Sequence, residues 1–226
     1  MTQNAQQDKP LVIAIDGPSG SGKSSTSRGV AERLGLAYLD TGAMYRAATW
    51  LVLERGVDPD DHDAVVELLS AHPVEVGTDP GDPRFQIGGQ DVTSAIREPG
   101  ISAQVSRIAT NQRVRDLLIA AQRAIIASAA QGVVAEGRDI TTVVAPDAHL
   151  RLLLVADPQA RVARRQAELG EAVAADQVSD QVLRRDRDDS TVAQFTEAAP
   201  GVQVIDSTFM DLDQVITTIC RLASTA

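Results

Sequence analysis

The chain of 226 residues contains one cysteine, Cys220. A single thiol forms no internal disulfide, so the fold must be held by its core, and a reducing compartment is expected. Aromatic residues make up only 3%, which leaves the core to Val, Leu, Ile and Ala. Apolar residues at 43% are ordinary for a globular protein with a sizeable core. Basic residues are fewer than acidic ones, for a net charge of −10. That balance argues against binding to DNA or RNA, which takes a basic surface, but leaves room for a local basic pocket. No apolar run approaches the ~20 residues that cross a bilayer, so no membrane partner is expected. Residues 1–9 are polar, lack the apolar centre of a signal peptide, and are expected to form a disordered tail. The location these features predict is the cytoplasm. The three histidines, His62, His72 and His149, stand next to no motif and read as surface or turn residues.

What is present is a glycine-rich loop in the right setting. Gly17-Pro18-Ser19-Gly20-Ser21-Gly22-Lys23-Ser24 fits G-x-x-x-x-G-K-[ST]. Leu11 to Ile15 before it is a short, β-branched apolar run, as a buried strand should be. Lys23 to Leu34 after it reads as a helix, with Gly35 placed to end it. Glycines let backbone N–H groups curl round a phosphate, and the helix N-terminus adds positive partial charge. In this pattern Lys23 reaches the β- and γ-phosphates and Ser24 offers its hydroxyl to Mg²⁺. A chance turn would not come flanked by this strand and this helix.

Further strands are predicted at Ala37–Leu39, Gly132–Ala135, Arg151–Ala156 and Val202–Asp206. Helices are predicted from Asp40-Thr41-Gly42 to about Arg55, from Asp58–Asp61 onward, over 102–130 in two pieces with Asn111 as a cap, after Asp157-Pro158, over Asp180–Asp188, and over Asp211–Ala223. Strands alternating with helices predict a parallel sheet covered on both faces. Residues 73–100 break the pattern. A turn cluster at 77–83, alternation at Phe85 and Ile87, and Gly88-Gly89 predict a small antiparallel insertion. Glu136-Gly137-Arg138-Asp139 forms a charged cluster at a strand's carboxyl end, where open α/β sheets bind ligands. Arg161, Arg164 and Arg165 share a helix face. Surface arginine clusters are common, so the trio alone decides nothing. For most of Arg113, Arg115 and Arg123 a solvated face is the plain reading.

The loop alone implies a nucleoside triphosphate, not what receives its phosphate. No Asn-Lys-x-Asp segment reads guanine, and the apolar run Leu152–Asp157 ends in Pro158 rather than paired carboxylates. Arginines at 46, 115, 138, 161, 164, 165 and 185 suit a pocket holding two phosphorylated ligands, since guanidinium forks match phosphate oxygens. A phosphate acceptor is already ionised near neutral pH, so no general base is required. A nucleotide-dependent switch remains a rival reading on the loop alone. So does a kinase for a small metabolite such as shikimate, although the Asp40–Arg46 segment and the large insertion speak against it.

From about Leu11 to Ala223 the chain resembles bacterial cytidylate kinases. The resemblance is carried by Ile15 to Ser25, by Leu39-Asp40-Thr41-Gly42-Ala43-Met44-Tyr45-Arg46, by Glu136 to Asp139, and by Arg185-Asp186-Arg187-Asp188-Asp189-Ser190-Thr191. It implies an α/β P-loop kinase: one domain over 10–226, a five-stranded parallel sheet flanked by helices, a monophosphate-binding part at 44–110 with the antiparallel insertion, and a helical lid at 158–188. It implies transfer of the γ-phosphate of ATP to CMP or dCMP with Mg²⁺, by a monomer. Gly17, Pro18, Ser19, Gly20, Ser21, Gly22, Lys23, Ser24 and Ser25 would hold ATP. Arg46 and Arg138 would hold the CMP phosphate. Ser106, Arg115 and Asp139 would read the cytosine edge with Thr41 close by, and Arg185 and Asp189 would reach the sugar. Lys23, Arg138 and the lid arginines Arg161, Arg164 and Arg165 would neutralise charge during transfer. The base assignment is chemically sound, because a carboxylate accepts from the cytosine amino group and an arginine donates to its acceptors. Two departures stand out. Many relatives carry an arginine where Val192 stands, before Ala193-Gln194-Phe195, and many carry Asp where Glu136 stands.

Overall fold

In the computed structural model, which describes residues 10–169, 187, 190, 191, 193 and 195–226, the chain is built on a five-stranded sheet. Strands β1 (Val12–Asp16), β2 (Ala37–Asp40), β6 (Val133–Gly137), β7 (Leu150–Val155) and β8 (Gln203–Asp206) lie in the order β2-β6-β1-β7-β8, all parallel. All five begin within a residue or so of the predicted starts. Their unbroken apolar character follows from burial on both faces. Successive side chains alternate: Ile13, Ile15 and Val134 face one layer, while Ala14, Val133 and Ala135 face the other.

The first layer is closed by α1 (Lys23–Leu34) and α7 (Leu212–Ala223), whose Val30, Val215, Ile216 and Ile219 pack on those isoleucines. Asp211 starts α7 by accepting the Gln214 N–H at 2.8 Å, and the Gln214 amide oxygen accepts the Asp211 N–H in return. The second layer holds α2 (Thr41–Glu54), α3 (His62–Ala71), α4 (Pro99–Ala109) and α5 (Gln112–Ser128). As predicted, Asn111 separates the last two, its side-chain oxygen accepting from the N–H groups of Arg113 and Val114. Helix α4 begins three residues before the expected 102, because Pro99 at its first turn has the helical φ built in.

The insertion is a three-stranded antiparallel sheet of β3 (Glu75–Gly77), β4 (Arg84–Ile87) and β5 (Gln90–Asp91). Gly88 and Gly89 both have positive φ, which the tight turn between β4 and β5 requires. Phe85 and Ile87 are 1% exposed and join the α2 core, and Arg84 and Gln86, alternating with them, face solvent. Burying such a side chain is worth about 1.5–3 kcal/mol, enough to fix which face of the insertion turns inward. After β6 the chain makes one π turn, Ile140–Val144. Helix α6 (Pro158–Leu169) follows β7. No helix among the described residues is long and apolar enough to cross a membrane.

Candidate active site

A cleft of about 480 Å³ opens at the carboxyl ends of β1, β2 and β6, where a parallel sheet presents its loops. On one side lies the glycine loop. Gly17 adopts φ +155°, and a Cβ there would sit 2.2 Å from the Leu154 carbonyl oxygen, so no other residue fits. Helix α1 starts at Gly22 with no side-chain cap and no acidic residue in its first turn. Its end is therefore available to an anion. Ser19, Gly20, Gly22, Lys23, Ser24 and Ser25 line the cleft. Gly17, Pro18 and Ser21 are buried and do not line it. The Lys23 Nζ donates to the Pro18 carbonyl at 2.8 Å, folding the lysine over the loop.

Behind the loop, Ser24 Oγ donates to Glu136 at 2.5 Å and Tyr38 Oη donates to the same carboxylate oxygen at 3.1 Å. Burial holds the Glu136 carboxyl above its ordinary range, with the Asp40 charge adding to the effect and Lys23 opposing it. Burial, then the Glu136 charge, pushes the Tyr38 phenol well up, so it remains a donor. The longer side chain of Glu136 thus reaches the Ser24 hydroxyl directly. Ser24 and Glu136 give hard oxygen donors facing the loop. Such a pair suits Mg²⁺, which takes few protein ligands and completes its shell with phosphate oxygens and water.

The opposite wall comes from α2, α4, α5 and the end of β6. Asp40 caps α2 by accepting the Ala43 N–H at 2.7 Å and also accepts from Arg46 at 3.0 Å. One carboxylate thus starts the helix and aims its arginine. Thr41 Oγ1 donates to the Glu136 carbonyl at 2.8 Å, and Gly137 is close-packed against it, since a Cβ there would lie 2.5 Å from that Oγ1. Arg115 from α5 is ion-paired with Asp139 after β6, both side chains being under 10% exposed. Arg138 donates to the Gly17 carbonyl at 2.8 Å, and its guanidinium lies 5.0 Å from the centre of the buried Phe195 ring. Thr41, Arg46, Arg115, Arg138 and Asp139 therefore meet in one cleft with Lys23 and Ser24. From α4 the wall takes Ser102, Val105 and Ala109; Ser106, half-buried on the same helix, is not on it.

The three arginines of α6 divide. Arg165 lines the cleft. Arg161 is 7% exposed and donates to the Ser19 carbonyl at 3.1 Å. Arg164 donates to the Ser21 carbonyl at 3.3 Å and to Ser207 at its hydroxyl (2.9 Å) and carbonyl (2.6 Å). Here Arg161 and Arg164 grip the back of the phosphate loop. Arg185, Asp189 and Val192 lie outside the described residues.

Arg28, Arg97, Tyr45, Pro83 and Phe85 also line the cleft, and none of them was singled out for the site from the sequence. Arg28 Nε donates to the Pro80 carbonyl, tying the insertion's turn to α1. Only the inward phase of Phe85 was a usable signal. Arg97 and Pro83 follow from how the insertion folds back. The histidines are away from the cleft: His149 Nδ1 accepts the Val12 N–H at 3.1 Å, and His72 Nδ1 bonds the Leu68 carbonyl at 2.9 Å.

The cytidylate kinase family model matches residues 13–225. A cytidylate kinase of Cutibacterium acnes is 60% identical over 215 residues, covering 94% of this chain and 96% of that one. A cytidylate kinase of Streptomyces griseus is 42% identical over 215 residues, covering 94% and 92%. Among solved structures, an uncharacterized protein from Eubacterium ventriosum superposes with a TM-score of 0.56 at 12% identity, over 96% of this chain and 99% of that one. That likeness bears on the fold alone.

Proposed function

The chain belongs to the cytidylate kinase family, and from that footing we propose that it transfers the γ-phosphate of ATP to CMP or dCMP, giving ADP and the diphosphate, with Mg²⁺. The observation that carries this reading is the buried Arg115–Asp139 pair on the wall facing the Lys23–Ser24 loop. Cytosine offers an amino donor and two acceptors. Asp139 accepts from the amino group and Arg115 donates to the acceptors. Uracil reverses the pattern at two positions and leaves buried groups unpaired, at roughly 1–3 kcal/mol each.

The acceptor phosphate is anionic, so no side chain need remove a proton. The chain's work is to bring two polyanions end to end and hold them there. Gly17 to Ser25 cradle the triphosphate, with Lys23 leaving the Pro18 carbonyl for a phosphate oxygen. Ser24 and Glu136 would hold Mg²⁺, which would supply charge neutralisation for the triphosphate when bound. The Ser24 hydroxyl proton is held by Glu136, which leaves the oxygen lone pairs for the ion. Arg46, aimed by Asp40, and Arg138, seated over Phe195, take the monophosphate. Arg165 adds charge from α6. Residues 158–188 act as the lid and 44–110 as the monophosphate-binding part, closing to exclude water, which would otherwise take the phosphate. Arg185 and Asp189 would reach the sugar, and the protein works as a cytoplasmic monomer.

A coupled assay of ADP formation over CMP, dCMP, UMP and AMP tests the reading. CMP and dCMP should be phosphorylated, and UMP at least roughly fivefold less efficiently if even one unpaired buried group is left. Equal or better use of UMP or AMP would remove the pyrimidine assignment.

A further inference from the structure

Asp16 has no place in the chemistry above and does not line the cleft, yet it is a carboxylate only 1% exposed. It is the last residue of β1, directly before the phosphate loop. Its carboxylate accepts three hydrogen bonds from the π turn: the Ile140 N–H at 2.9 Å, the Thr141 N–H at 2.8 Å and the Thr141 hydroxyl at 2.6 Å. Those N–H groups open the turn, and a helical start leaves such donors without partners of its own. Asp16 thus serves as a cap supplied from another strand.

The residue immediately before this gripped pair is Asp139. Its carbonyl accepts the N–H groups of Val143 at 2.8 Å and Val144 at 3.1 Å, so its backbone is tied into the same turn. On its other side, Arg138 donates to the carbonyl of Gly17, the neighbour of Asp16. Residues 138–141 are therefore held against two consecutive residues, Asp16 and Gly17, and Asp139 sits in the middle with its carboxylate on Arg115. Burial raises the Asp16 carboxyl, and the bonds from Thr141 and Ile140 oppose that rise. All three bonds are donated to its two oxygens, the pattern a carboxylate receives.

We propose that Asp16 is a positioning residue for acceptor selection: by capping the π turn it fixes the placement of Asp139 opposite Arg115, and so sets how sharply cytosine is told from uracil. This rests on the reading of the cleft as a CMP site. Asp16 touches neither nucleotide. It acts through the turn, and the phosphate loop keeps its own grip from Arg161 and Arg164. Base selection and ATP binding should therefore separate.

The test compares the full-length protein with Asp16→Asn, which keeps the shape but turns one acceptor into a donor facing N–H groups, and with Thr141→Val, which removes only the 2.6 Å bond. For Asp16→Asn, kcat/KM for CMP and the CMP:UMP ratio of kcat/KM should each fall by roughly tenfold, while KM for ATP and Kd for ADP stay within about twofold. Thr141→Val should shift the same ratio in the same direction by a smaller factor. A lowered melting temperature is expected from a purely structural role as well, so it decides nothing; the ratio and the CMP-against-ATP split decide. Folded variants with an unchanged CMP:UMP ratio, or with ATP affinity lost in step with CMP, overturn the proposal. If Asp16→Asn does not fold, an unchanged ratio in Thr141→Val overturns it. Wild-type protein that leaves CMP untouched overturns the CMP reading first and this inference with it. Wild-type protein active on CMP beside unaltered variants overturns the role of Asp16 alone.

Discussion

Replacing Arg115 by methionine removes a charge at little cost in volume, and its effect can be worked from burial. The guanidinium and the Asp139 carboxylate are bonded to each other with side chains 8% and 9% exposed. Without Arg115 the carboxylate remains in the wall without its ion-pair partner, and breaking a buried pair from one side costs about 3–5 kcal/mol. In a chain of this size each kcal/mol moves the melting temperature by about 2–4 °C. The variant should therefore melt roughly 6–20 °C lower in the absence of nucleotide. Asp139→Asn should cost less, because the amide oxygen still accepts from Arg115. The double variant R115M/D139N leaves neither charge and should be more stable than the sum of the single losses implies, by about 2–4 kcal/mol. Urea unfolding of the four proteins gives the cycle. Arg33→Met is the internal control: its pair with Asp213 is 42% and 76% exposed, and an exposed pair of that kind contributes about 0–1 kcal/mol. Losses that add within about 0.5 kcal/mol would refute the coupling, and a cost for Arg115 no larger than for Arg33 would refute the burial estimate behind it.

Two further outcomes follow from the site. Burial and the Asp40 charge hold the Glu136 carboxyl above its ordinary range, so folding favours its protonated form. That contribution is complete below the unfolded carboxyl value and is lost as pH rises through the folded one. Glu136→Gln should therefore match or exceed wild type in melting temperature above the folded Glu136 value, with a flatter profile upward from the unfolded carboxyl range, while phosphate transfer falls by at least roughly tenfold. Wild-type transfer rates in that variant would detach Glu136 from the donor site. Arg164→Ala removes bonds to the Ser21 carbonyl and to Ser207. It should raise KM for ATP several-fold, roughly 3–10, with a smaller change for CMP; an unchanged KM for ATP would show that the loop keeps its shape without α6.

The sheet was legible because a strand covered on both faces has to be an unbroken apolar run. Ile13 and Ile15 with Ala14 between them could hardly be anything else once Gly17 followed. Asn111 was legible as a cap because its side chain performs a local act. The π turn was not. Ile140-Thr141-Thr142-Val143-Val144 is β-branched throughout and reads as strand. It turns because Asp16, more than a hundred residues away in sequence, accepts its first N–H groups. Arg115 was half legible. Val114, Leu118, Ile119 and Gln122 share the buried face of α5 with it, and a residue three and four places before 118 and 119 belongs on that stripe, unlike the exposed Arg113. The spacing of Arg161, Arg164 and Arg165 showed a common face, but not that two of them would meet loop carbonyls while one lined the cleft. That outcome depends on where β7 delivers α6.

The balance of charge resolves when it is placed. A net −10 over the chain would by itself repel two nucleotides, each a multiple anion. Yet among the described residues seven cationic side chains line the cleft, against the three carboxylates Asp40, Glu136 and Asp139, and each of those carboxylates has an assigned partner: Arg46, the Ser24 and Tyr38 hydroxyls, and Arg115. Much of the excess negative charge therefore lies on other surfaces, where solvent and salt screen it within about 10 Å. The cationic excess stands in a partly desolvated cleft, where screening is weakest. Arginine suits this better than lysine, because a guanidinium answers a carboxylate of the protein and a phosphate of the ligand from different edges of one plane. The acidic composition and the anionic substrates are thus compatible for a positional reason: the carboxylates inside the cleft aim its arginines instead of competing with the ligand for them.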